Sequence, residues 1–207
     1  MTHTPPLLEW IRRLNAIAQS GLTFDPGEFD RQRYEQVRAL AAEMAAHPGG
    51  TVEAVDRIFS ADTGYATPKV ICRGAVFDDQ RRILMVRETA DGRWTLPGGW
   101  IDIGDSPARS VEREVWEETG YRVTVTKIAA VYDKLRHPHP PAIHHAYLIF
   151  FICRLDGGEP TPSYETSEIA WIERGSLPEL SEGRALGTQI DRMWDHLADP
   201  GIPTDFD

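Results

Sequence analysis

A glycine turn that runs straight into a helix crowded with acid is the feature that most narrows what this chain can become. The stretch is Leu96 to Tyr121, LPGGWIDIGDSPARSVEREVWEETGY. Pro97-Gly98-Gly99 imposes a loop in which backbone can approach another group closely. Ser106-Pro107 reads as a helix start, a hydroxyl cap followed by proline at the first helical position, and Gly120 as the stop. Over the predicted helix, Pro107 to Thr119, the residues Ala108, Val111 and Val115 share one face, which turns to the core. The opposite side carries Glu114 and Glu118, four apart and so stacked, with Glu117 beside them and Glu112 nearby. A solvated acidic face accounts for one or two such glutamates, but not for this cluster or for the glycine loop before it. A hard divalent cation accounts for both. Mg²⁺ takes carboxylate oxygens and completes its shell with water and substrate phosphates, whose charge it neutralises during cleavage.

The flanking sequence divides in two. Leu7, Trp10, Ile11, Leu14, Ile17 and Ala18 recur at helical spacing up to Gly21, taken as the helix stop. Asp25-Pro26-Gly27 opens a second helix carrying Val37, Leu40, Ala41 and Met44, which ends at Pro48-Gly49-Gly50. A short third helix has Val52, Val55, Ile58 and Phe59 inward. Residues 1–65 are thus expected to form a small helical domain whose core needs help, from the rest of the chain or from a second copy. It has six arginines, no lysine and nine acidic residues, a balance that disfavours DNA binding and leaves packing or dimerisation.

Residues 66–207 read as a mixed α/β sandwich. Val70 to Phe77 and Arg82 to Val86 are expected as an antiparallel hairpin about Asp78-Asp79-Gln80, followed by Trp94-Thr95-Leu96. Val123 to Tyr132 and Ala146 to Leu155 are two long strands, Ile169 to Ile172 a short last one, and Ala185 to Leu197 a second helix. The net charge of −10 argues against a protein that grips nucleic acid by its phosphates. Cys72 and Cys153 lie in apolar strands as expected buried thiols. With no span long enough for a membrane and no signal-like residues at Met1 to Pro6, a cytoplasmic protein is expected.

The acidic stretch resembles the Nudix box. Gly99 opens it, and Arg113-Glu114-Val115-Trp116-Glu117-Glu118-Thr119-Gly120-Tyr121 closes it, with Asp105 where the box has its first glutamate. The order of helical segment, YATPKV and box is similar to the bacterial CDP-choline and ADP-ribose pyrophosphatases. Trp10, the run Ile17 to Leu22, Arg33-Tyr34, Asp133-Lys134, His137, Pro141 and His145 match that subgroup. The resemblance implies an α/β fold, a Nudix-type α/β/α sandwich with a mixed sheet, preceded by an all-helical N-terminal domain and assembled as a homodimer. It implies a Mg²⁺-dependent hydrolase, with Mn²⁺ as an alternative ion, that cuts the pyrophosphate of a nucleoside diphosphate linked to another group. The products are a nucleoside monophosphate and a second phosphorylated molecule.

By the same resemblance Glu114 and Glu118 are the main metal ligands, Glu117 joins them, and the carbonyl of Gly98 adds another. Arg113 orients carboxylates; Asp105, one methylene short, weakens that support, and Asp102 is taken as solvated loop. The general base is Glu114, Glu165 or Glu168, the last being taken as catalytic. His137 and His145, in a loop stiffened by prolines, are expected on substrate, and Arg73 and Arg87 are candidates for its phosphates. Trp94 and Trp100 are read as core. Nucleoside triphosphates or dinucleotides remain as substrates, and a non-catalytic nucleotide sensor and RNA end processing as other functions.

Overall fold

The computed structural model describes residues 6–46 and 51–207. The expected break at Pro48 to Gly50 and the N-terminal residues 1–5 lie outside them. The chain separates into two units, a helical one to which residues 141–145 belong, and a β-rich one holding residues 69–140 and 146–207.

In the helical unit, α1 (Pro6–Thr23), α2 (Glu28–Ala46) and α3 (Val52–Ala61) enclose Ile11, Ala41, Ala42, Ala46, Val55 and Phe59. Gly21 does not stop α1, which continues to Thr23. Its missing side chain serves packing instead, because a Cβ there would overlap the ring of Tyr34 on α2. The expected inward faces are only partly buried: Leu7, Trp10, Ile17, Leu40, Val52 and Ile58 are exposed. Arg12 donates to the carbonyls of Ala142 and Ile143, which ties residues 141–145 to this unit.

The β-rich unit has two sheets. One runs β1 (Lys69–Val76), β5 (Ala146–Gly158), β4 (Tyr121–Asp133) and β7 (Asp205–Phe206), with β1 parallel to β5 and β4 antiparallel to it. The other runs β3 (Trp94–Thr95), β2 (Ile83–Glu88) and β6 (Thr166–Ile172), all antiparallel. Side chains alternate along β1, so Ile71 and Ala75 enter a core closed by Ile190, Met193 and Trp194 of α5 (Gly187–Ala198). Cys72 and Val76 enter a second core, closed by Val111 and Val115 of α4 (Pro107–Thr119).

The expected β1–β2 hairpin does not form as a ladder. The turn is present, with Asp78 Oδ1 accepting from the N–H of Gln80 and Arg82, but only the bridge between Phe77 and Ile83 joins the strands. Both edges of β1 are already engaged. β5 takes one, and the glycine loop takes the other through Gly74 N to Pro97 O at 2.9 Å, Cys72 N to Gly99 O at 2.9 Å and Ile101 N to Val70 O at 3.1 Å. β2 therefore turns into the second sheet.

The close seating of α4 on β1 depends on Gly74, where a Cβ would lie 2.8 Å from Val115 Cγ2. Gly74→Val should force these layers apart and cost about 1–3 kcal/mol, as overpacking does. Urea unfolding followed by circular dichroism measures this, with an unchanged midpoint counting against the packing argument.

Candidate active site

The helix α4 is built as its sequence predicts. Ser106 Oγ accepts from Arg109 N at 3.2 Å, Pro107 fills the first position, and Gly120, at φ 75°, donates to Trp116 O at 2.8 Å. Its far end is pinned by Thr166 Oγ1, which donates to Glu118 O at 2.9 Å. This frame carries the carboxylates to the glycine loop. Gly98 has φ 139° and lies so close to the Cys72 carbonyl that no Cβ fits.

Glu118 is 5% exposed, and its Oε2 accepts from the N–H of Gly98 at 2.8 Å. Burial pushes its pKa up to about 8, and the neighbouring Glu88 and Glu114 push the same way, against Arg73 and the Gly98 N–H. Glu114, one turn earlier, lies against the α-carbon of Gly99, and desolvation raises its pKa as well, although Arg113 opposes this. Glu112 faces elsewhere: its Oε1 accepts from Val125 N at 2.8 Å, beside the bulge in β4.

Arg113 gathers the other acids. Its Nη1 meets Glu117 at 2.8 Å and Glu114 at 3.1 Å, its Nη2 meets Asp102 at 3.0 Å, and its Nε lies 3.4 Å from Asp105. Asp102, expected as plain loop, is thus a firmer partner than Asp105, whose shorter side chain leaves the longest contact of the four.

These groups open into a cavity of about 900 Å³ lined by Asp102, Arg113, Glu114, Glu117, Glu118, Glu159 and Glu165, with Trp100, Trp116 and Tyr164. Six carboxylates face one guanidinium. The donor set is hard oxygen throughout, which suits a Mg²⁺-type ion. Among the described residues no three such groups already converge on one point, because Arg113 draws Glu114 and Glu117 to itself.

Several residues expected at the site lie elsewhere. Arg73 is 4% exposed and donates to the carbonyls of Leu96 and Gly98, so it braces the glycine loop from inside and does not line the cavity. This also turns the Gly98 carbonyl toward a cation, a poor position for a metal ligand. Arg87 pairs with Glu168 at 2.6 Å across β2 and β6, and neither lines the cavity. Glu165, in the turn before β6, does. His137 bonds Asp207 at 3.1 Å and packs on Tyr132, and His145 groups with the helical unit. Trp94 joins the core as expected, whereas Trp100 lines the cavity. Sequence reasoning missed Glu88, buried behind the loop and paired with Arg184 at 2.8 Å; a lone acid at a strand end gives no signal. It also passed over Trp116, although its place among the box glutamates could have flagged it.

The comparisons agree with this geometry. The NUDIX domain family model matches residues 67–190, and the model described as "UDP-X-like, N-terminal oligomerisation domain" matches residues 5–59. A Bacillus subtilis protein that carries the provisional name ADP-ribose pyrophosphatase YjhB is 40% identical over 97% of this chain and 96% of its own length. The crystal structure of an ADP-ribose pyrophosphatase from Streptococcus suis superposes with a TM-score of 0.63 at 35% identity, covering 68% of this chain and all of that one. That of a UDP-X diphosphatase gives 0.63 at 29% identity over the full length of both. The chain belongs to the Nudix family of hydrolases, which act on pyrophosphate bonds, in the group that carries an N-terminal helical segment.

The buried acid has a thermodynamic signature. The folded pKa of Glu118, about 8, exceeds the ordinary 4.5, so between these values the unfolded chain releases a proton that the folded chain keeps. Stability therefore falls as pH rises through that window. Glu118→Gln keeps an acceptor for Gly98 N–H and removes the titration. In metal-free buffer its Tm should exceed that of the native protein by a margin that widens from pH 5 to pH 8; parallel Tm profiles would contradict the burial cost.

Proposed function

We propose that the protein is a Mg²⁺-dependent pyrophosphatase of nucleoside diphosphates linked to another moiety, of the ADP-ribose or UDP-X type. The observation that carries this reading is the imbalance in the cavity. Asp102, Glu114, Glu117, Glu118, Glu159 and Glu165 face Arg113, which is already committed to four carboxylates. A diphosphate can enter such a site only with cations. Glu114 and Glu118 would hold the ion, and Glu117 would join them. When bound, a divalent cation neutralises the diphosphate and acidifies the attacking water.

The chain's own groups do the rest. Gly98 N–H orients the Glu118 carboxylate, the buried Arg73 braces the loop behind it, and Arg113 holds Glu114 and Glu117 together until ligand arrives. Glu165 takes the proton of the water that adds to phosphorus, the bridging P–O bond breaks, and a nucleoside monophosphate leaves beside a phosphorylated product. Mn²⁺ is expected to substitute for Mg²⁺. The relatives named for ADP-ribose and UDP-X turnover support the substrate class. We propose residues 1–65 as a dimerising domain attached to a catalytic domain over 66–207; the exposed Leu7, Trp10, Ile17 and Leu40 favour this. The two buried free thiols suit the reducing cytoplasm.

Two experiments test the reading. Hydrolysis of ADP-ribose, UDP-glucose, CDP-choline and nucleoside triphosphates with Mg²⁺, followed by phosphatase release of product monoesters, should favour the diphosphate-linked substrates. In that assay Glu165→Gln should lower kcat about 10²-fold or more, the ordinary contribution of a general base, while Glu168→Gln stays within a few-fold; the reverse order would return the role to Glu168. Light scattering should give twice the chain mass in solution, and a monomeric mass would refute the dimer.

A further inference from the structure

Three aromatic side chains ring the carboxylate cavity, and the chemistry above uses none of them. Trp100 is 50% exposed, Trp116 56% and Tyr164 89%, and all three line the cavity that holds Glu114, Glu117 and Glu118. An indole left half in water forgoes much of the burial that makes tryptophan stabilising, so two beside one cavity call for a reason. Neither has a core role. On α4 the inward positions are Val111 and Val115, and Trp116 stands two residues from both Glu114 and Glu118.

Trp100 grows from rigid backbone. It follows Gly99, whose α-carbon lies against the Glu114 carboxylate, it forms a bridge with Ile71, and its neighbour Ile101 donates to Val70 O at 3.1 Å. A side chain rooted in backbone this firmly has fewer positions to lose when a ligand covers it. Among the described residues neither indole packs on another ring, and about half of each is open to solvent. The other lining side chains are mostly anionic, so a ligand that satisfies the whole cavity needs a cation-assisted anionic end and a flat neutral end.

We propose that Trp100 and Trp116, with Tyr164 at the rim, form the nucleobase subsite. The base stacks on the indole faces while the diphosphate reaches the carboxylates. This rests on the hydrolase reading and extends it. The alternative occupant, an alkylammonium group held by cation–π attraction, needs rings close enough to enclose it. Among the described residues no two of these three rings pack on one another as the walls of a cage would, and stacking needs only one face. Stacking also reads the π surface and ignores the edge of the base, so purine and pyrimidine substrates should bind within a few-fold of each other.

The experiment uses the full-length protein. Tryptophan fluorescence is titrated with AMP, UMP, ribose 5-phosphate and phosphocholine in Mg²⁺, and steady-state constants are taken on ADP-ribose and UDP-glucose. AMP and UMP should quench saturably, and ribose 5-phosphate and phosphocholine should not. Trp100→Ala and Trp116→Ala should each raise KM roughly ten- to hundredfold with kcat changed far less, the scale at which base stacking is lost. Trp100→Phe and Trp116→Phe should recover most of it. Quenching by ribose 5-phosphate equal to that by AMP, quenching by phosphocholine alone, or native KM in both alanine variants would overturn the subsite. If the native protein hydrolyses neither substrate, the hydrolase reading fails by itself, and the AMP and UMP titrations still decide the subsite.

Discussion

The glycine loop docked along the free edge of β1 is the contact on which the rest of the site depends. Three backbone hydrogen bonds, from Cys72, Gly74 and Ile101, lay residues 97–101 beside the strand as if they were another strand. The loop can lie that close only because Gly98 has neither a Cβ nor a negative φ. From there its N–H meets Glu118 and its carbonyl meets Arg73, so one residue joins the acid helix to the inside of the sheet. The same docking uses up the second edge of β1 and sends β2 into the other sheet.

Charge is arranged in two tiers around this contact. Arg73, Glu88 and Arg184 lie behind the loop, where burial lowers the pKa of Arg73 and raises that of Glu88. Glu114, Glu117 and Glu118 lie in front, with Arg113 as the shared counter-ion of the first two. The inner arginine moderates Glu118 but does not neutralise it, since desolvation still dominates. Asp102 contributes by occupying the Nη2 of Arg113 at 3.0 Å, where the shorter Asp105 leaves only a 3.4 Å contact at Nε. Arg113 thus has two aspartate partners here, one at the box position and one from the loop before it.

The helical unit follows a different logic. Its core is small and alanine-rich, with Ala41, Ala42 and Ala46 buried, and much of its large apolar surface faces outward. Gly21 and Tyr34 bring α1 and α2 together at a point where any side chain would hold them apart. Residues 141–145, distant in sequence, join this unit through Arg12, which explains why a histidine from the proline-stiffened loop, His145, parts from His137.

The sequence by itself determined whatever depends on neighbours within a few residues. The limits of α4, the cap at Ser106, the stop at Gly120, the long strands β4 and β5 and the acidic face of the box follow from local propensity and spacing. Tertiary structure decided which edge, partner and exposure each element received. Backbone edges are chemically alike, so nothing in Val70 to Val86 announces that β1 pairs with β5 and the loop instead of β2. An arginine in a strand looks the same whether it ends in solvent, as Arg87 partly does, or is buried against two carbonyls, as Arg73 is. Glu165 and Glu168 are equivalent as letters. Only the antiparallel pairing of β2 with β6, which hands Glu168 to Arg87, leaves Glu165 at the cavity.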